Sequence, residues 1–231
     1  MKKPKILMIA GLGVVVILAL FFAIRYVHAG GDKQLCEDQH SPQLPQYLRN
    51  DVDAAAVKVV WSEYIRRWRL DMEQLRLPPQ VPKLFLFVRP MGPTGAVACH
   101  KIIKSGAVTD PEDLSAFVKS IQVAGGEHKD ALLFELLDAP PLVRLARELQ
   151  QDLAQAKAGN DPRFAKLATE LQQNPKCGAV DVAGECAALA QPADVSILEK
   201  VSRLMENTSD PVVRARCKYV LQEHARYTRK R

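Results

Sequence analysis

The chain closes on "SDPVVRARCKYVLQEHARYTRKR", residues 209–231. Asp210 can cap a helix by accepting N–H groups of the following turn, and Pro211 suits the first helical position, where no N–H is needed. After them Val213, Cys217, Val220 and Leu221 recur at spacings of three and four, the mark of a helix with one buried stripe. Cys217 lies on that stripe and reads as a small core residue. Arg214, Arg216 and Lys218 are expected to face solvent. The last four residues, "TRKR", are mainly basic and add nothing to the stripe, so they read as a solvated extension. Residues 211–231 hold seven basic side chains and one acid, Glu223. Arg214, Lys218, Arg226, Arg229, Lys230 and Arg231 are therefore candidate interaction residues.

The helix is one of several. "ADVSILEKVSRLMENTSD" predicts a preceding helix and a turn, so the two form a hairpin. "TDPEDLSAFVKSIQVAGG" starts on a Thr/Asp cap with Pro111 at the first helical position and stops at Gly125 and Gly126. "KDALLFELLDAPPLVRLARELQQDLAQAKAG" predicts two helices broken at Pro140 and Pro141, and "NDPRFAKLATELQQN" another short one. Asp210, Pro211, Val213, Arg214, Cys217, Val220 and Leu221 together resemble the second helix of a HEAT-type repeat. The resemblance covers about the last 40 residues, the size of one such unit. Val143 and Arg144 repeat its Val-Arg element, but Arg147 stands where Cys217 does, and no third regular copy follows. The resemblance implies helical hairpins packed side by side, whose faces serve protein partners.

Toward the N-terminus, "DVDAAAVKVVWSEYIRRWRLDMEQLRL" predicts a long helix. Val57, Trp61, Ile65 or Tyr64, Trp68, Met72 and Leu75 form its stripe, and Pro78 and Pro79 end it. Trp61, Tyr64 and Trp68 suit a core, and their alternative use is a docking face. "KLFLFVR" and "AVACHKII" flank the loop "PMGPTG", which predicts a β-hairpin. The expected fold is thus mainly α with one small β-hairpin. Its expected divisions are 1–28, a stub and anchor; 29–50, a linker; 51–108, the membrane-proximal helix and hairpin; and 109–231, a helical interaction domain.

Residues 6–24 form a run of 19 without a charge, preceded by Lys2, Lys3 and Lys5. A helix of that length covers most of a hydrocarbon core of about 30 Å. The flanking lysines place the N-terminus in the cytoplasm and the rest outside it. A cleaved signal peptide is the competing reading, but its apolar region is typically about 7–15 residues. The formal net charge of +6 is unevenly spread. Residues 29–210 carry 21 basic against 25 acidic side chains, so the body has no obvious basic face and nucleic acid is not an expected partner.

Five cysteines occur. In an oxidising compartment Cys177 and Cys186, nine apart around two glycines, suit a disulfide; two unpaired loop thiols are the alternative. Cys36, His40, Cys99 and His100 are weak metal candidates, since they lack the close ligand pairs of zinc sites, and Cys36–Cys99 could equally pair. The chain has no phosphate loop, nucleophile elbow or paired metalloprotease histidines. Neither an enzyme nor a cofactor is expected. The leading expectation is a single-pass anchored accessory or scaffold subunit of an envelope complex, in the inner membrane, with its helical domain periplasmic. Its partners would be other membrane and envelope proteins, with anionic lipid as a further one for the basic tail. The alternative is a thiol- or metal-dependent redox or enzyme subunit using Cys99 and His100.

Overall fold

The computed structural model describes residues 43–73, 84–159, 180–191 and 194–230, without the side chains of 67–73, 156 and 157. The apolar run, Cys36, His40, Cys177, the side chain of Trp68, Arg231 and the helix expected after Asn160 lie outside the described residues. Among the described residues the regular structure is entirely helical. The helices are α1 (Ala54–Glu73), α2 (Leu84–Val88), α3 (Gly92–Lys104), α4 (Pro111–Ala124), α5 (Lys129–Phe134), α6 (Pro140–Ala158), α7 (Glu185–Ala190), α8 (Val195–Asn207) and α9 (Pro211–Arg229). None of them is long and apolar enough to cross a membrane.

The expected β-hairpin is absent: both of its apolar runs are helical. Burial shows why. Leu84 and Val88 are buried while Leu86 between them is 50% exposed. A strand would have put all three on one face; a helix puts residues four apart together. A short apolar run without alternation does not distinguish the two states. The Gly/Pro segment that suggested a hairpin loop joins helices instead. Gly92 adopts a positive φ of 58° and Pro93 sits in the first turn of α3, where a missing N–H costs nothing.

Two groups of helices meet at a short third element. In the first, α1 packs on α3, and α4 packs on both α2 and α3. Val57, Val60, Trp61 and Ile65 of α1 enter its core with Ile102, Ile103 and Phe117. The Tyr64 ring lies edge-on to Phe117, centroids 5.1 Å apart, and its hydroxyl donates to Asp113 Oδ2 at 2.5 Å. The end of the expected linker joins this core through the buried Leu44 and Leu48. Lys101 holds the entry to α1 by binding Asp51 (2.8 Å) and Asp53 (3.0 Å). In the second group, α9 packs against α7 and α8. The short α5 touches α3 and α4 on one side and α7 and α8 on the other, so it joins the two cores. Helix starts follow the expected chemistry: Asp110 accepts from Glu112 and Asp113, Asp194 from Ser196, and Asp210 from Val212.

Gly184 precedes α7 with φ 85°, and a Cβ there would meet only ordinary contact, the Gln122 amide at 3.7 Å. Gly184→Ala should therefore destabilise through backbone strain alone, by about 1–2 kcal/mol. A thermal melt measures it. No change would mean that the left-handed turn is not needed.

Candidate functional site

Helix α9 has two faces of opposite character. Its inner face carries Val213, Cys217 and Val220 of the predicted stripe together with Val212, while Leu221, the fourth stripe residue, is half-buried. It also carries Arg216, which was expected to face solvent and instead is fully buried. Arg216 Nε donates to Leu137 O at 3.0 Å and Nη1 to Val180 O at 3.0 Å, with Leu136 O at 3.5 Å from Nη2. Nη2 also contacts the fully buried carboxylate of Glu185 in a direct ion pair. The planar fork of arginine suits such divergent acceptors, and lysine could not serve them all. Burial lowers the guanidinium to about 10, with nearby Asp181 opposing, so it stays charged at neutral pH. Arg216 thus ties α9 to α7 and to the turn after α5.

Asp181 organises the start of α7. Its Oδ1 accepts from Cys186 N at 3.0 Å and Oδ2 from Ala187 N at 2.9 Å. Burial raises its carboxyl, and those two backbone donors and Arg216 oppose the rise. Asp181, Glu185 and Cys186 bring three ligand-type atoms within 4.8 Å of one another. The cluster already holds a cation, however. Asp181 accepts from backbone N–H groups, Glu185 faces the Arg216 guanidinium, and the Cys186 thiol is protonated and lies 3.7 Å from Val180 O. A cation entering the cluster would meet the guanidinium, so we read it as a structural ion-pair cluster rather than a metal centre. Cys186 is a free thiol, and burial pushes its pKa well up. Cys177, its expected partner, lies outside the described residues. Cys217 is likewise free, raised to about 11 by burial.

Cys99 and His100 lie in mid-α3, not in a hairpin. Cys99 is fully buried, and burial drives its pKa far up, only partly offset by Ser120. A thiol so placed is protonated and unreactive. His100 is buried too, with Nε2 3.3 Å from Glu135 Oε2, inside ion-pair range though outside hydrogen-bond geometry. Burial lowers its pKa below 6.5, with Glu135 opposing and Lys104 and Lys101 assisting. The folded imidazole therefore holds its proton less tightly than the unfolded one. Below that pH the unfolded state takes up more protons, so stability should fall as pH drops through and below 6.5. The slope is at most about 1.4 kcal/mol per pH unit for one proton. Melts of wild type and His100→Gln between pH 7.5 and 5.5 should converge, and an unchanged slope in the variant would refute this assignment. Trp61 and Tyr64, the other candidate docking residues, are 1% and 3% exposed and belong to the core.

The outer face of α9 is basic and accessible. Arg214, Lys218, Gln222, Ala225 and Arg229 recur at three- and four-residue spacing, and all are exposed. Arg226 and Lys230 flank that line. Arg214 is exposed, and one guanidinium nitrogen, Nη2, donates to Thr208 O at 2.7 Å, which fixes the charged head at the start of the helix. Arg226 pairs with Glu223. The helix does not stop before "TRKR" but runs to Arg229. Beyond His224, whose Nδ1 lies 3.2 Å from Ala190 O, residues 225–230 are all exposed. The end of α9 therefore overhangs the core. No protein-family model matches the chain, and no characterised protein or solved structure does either.

Sequence reading missed Arg216, Asp181 and Glu185 as a unit. A signal existed for the first. Arg216 is three residues after Val213 and four before Val220, so the period that defined the buried stripe includes it. Its charge alone argues for exposure. The acids carried no such signal, because their partner lies more than 30 residues away in the chain.

Proposed function

We propose that the chain is a single-pass, membrane-anchored accessory or scaffold subunit whose helical domain lies outside the cytoplasm and acts through contacts with envelope proteins. The observation that carries this reading is the uncharged run of 19 residues behind three lysines, joined to a separate helical unit, Leu44–Arg231. On this reading α8 and α9, joined by residues 208–210, act as a single HEAT-like hairpin that presents one polar face. The alternative, thiol or metal chemistry at Cys99 and His100, has against it the complete burial of the Cys99 thiol and its raised pKa. Extraction of the full chain from native membranes in mild detergent, followed by sizing, is the test. Migration with a defined set of membrane proteins, well above the size of the lone chain, is expected. Recovery in the soluble fraction would reject the anchor, and migration as a lone chain would reject the subunit role.

A further inference from the structure

The basic residues of α9 are not confined to a tail. They line a rigid helix face, and the geometry points to that face as the surface on which the domain rests against an anionic phospholipid leaflet. This rests on the anchored reading above and adds to it which face meets the bilayer.

Four observations carry it. First, the line Arg214, Lys218, Gln222, Ala225 and Arg229 spans about four turns, or about 23 Å of helix, and all five are exposed. No acid lies on it, and Glu223 at its edge is already paired with Arg226. Second, the charge is asymmetric. Residues 29–210 have an excess of acids, 25 against 21, so an anionic leaflet repels the body and attracts α9. Third, the line suits headgroups better than a protein partner. Gln222 and Ala225 at its centre provide no apolar or aromatic anchor, which a stable protein interface needs. Adsorption to headgroups needs only charge, and the exposed Tyr227 beside the line suits the interfacial zone. Fourth, the tether makes weak attraction sufficient. Residues 25–43 separate the apolar run from the helical unit, and 19 residues reach at most about 65 Å. That exceeds the breadth of a domain with a radius of gyration of about 16 Å, so covalent length allows any face to reach the leaflet. Confinement at this distance corresponds to an effective concentration on the order of millimolar. Each basic side chain near an anionic surface strengthens adsorption about fivefold, so four or five suffice.

The test uses the full chain in lipid nanodiscs, either zwitterionic or with about a third anionic phospholipid, at roughly physiological ionic strength. A water-soluble amine reagent reports on individual lysines by peptide mapping. Lys218 and Lys230 should react at least threefold more slowly in anionic than in zwitterionic discs. Lys58 on α1 and Lys200 on α8, both exposed, should react equally in the two. High salt should abolish the protection, and Lys218→Glu with Arg229→Glu should abolish it at Lys230. Equal labelling of Lys218 and Lys230 in both discs, in protein that has incorporated, would overturn the lipid assignment and leave an acidic protein as the occupant of the face. Equal slowing of all four lysines would also overturn it, since the contact would then not be oriented. Failure of the chain to co-elute with either disc would instead reject the anchor, and this inference with it.

Discussion

Replacing Arg216 with methionine should destabilise the helical unit by about 3–5 kcal/mol, because it removes one partner of a buried ion pair and leaves the other charge uncompensated. Glu185 would keep its burial and lose its counter-charge, and Leu137 O and Val180 O would lose their guanidinium donors. For a domain of this size the loss corresponds to a fall in Tm of about 6–20 °C. Lysine should not rescue it, since one ammonium cannot reach acceptors spread across the guanidinium plane. The informative variant is the double, Arg216→Met with Glu185→Gln. Removing the stranded charge should recover part of the stability, so the two effects should be clearly non-additive. Additive losses in thermal melts of the full chain would show that the two side chains do not act as a pair. Lys218→Met, two positions along on the outer face, should leave the melt within about 0.5 kcal/mol of wild type.

Trp61→Ala should cost about 3–5 kcal/mol, the range for emptying a large buried aromatic site. Trp61 is 1% exposed and its ring stacks obliquely on Tyr64 at 5.4 Å, so the cavity would open beneath the Tyr64–Phe117 pair. Its indole N–H meets no acceptor among the described residues. Trp61→Phe should therefore be far milder than Trp61→Ala, because it retains most of the apolar volume and removes a buried donor that has no partner. The alternative use of this residue, as an anchor for another membrane protein, predicts the reverse: an unchanged melt and a lost partner. The melts of the two variants separate these readings without knowledge of any partner.

Most of the helical architecture could be read from local chemistry. The Asp-Pro starts of α4 and α9 each appear in the sequence as a cap followed by an apolar period, the segment of α8 appears as a period alone, and the structure places helices there. The segment 84–104 could not be read so, because its five-residue apolar run between prolines is too short to show a period and its glycines suit a hairpin loop as well as a helix junction. What decided it was the tertiary surface of α4, which takes Leu84 and Val88 but not Leu86. The buried cluster was hidden for a different reason. Arg216 meets acceptors 36 to 80 residues away, and no local pattern encodes contacts of that range. The basic outer face was half visible. Its basic residues are legible in the sequence, but "TRKR" carries no apolar period to extend the helix, whereas Thr228 and Arg229 continue it and bring Arg229 into line with Lys218.

On the proposed reading a folded helical unit stands outside the cytoplasm on an N-terminal anchor. Ser209 is exposed in the short link between α8 and α9, while Cys99, Cys186 and Cys217 are buried. A full chain with Cys36→Ser, Cys177→Ser and Ser209→Cys therefore reports location and fold in one labelling experiment on intact cells with the outer barrier opened. A membrane-impermeant maleimide should label Ser209→Cys before lysis, and the three native thiols should react only after denaturation. Labelling of Ser209→Cys only after lysis would place the domain in the cytoplasm and contradict the account, and ready labelling of the native thiols would contradict the fold.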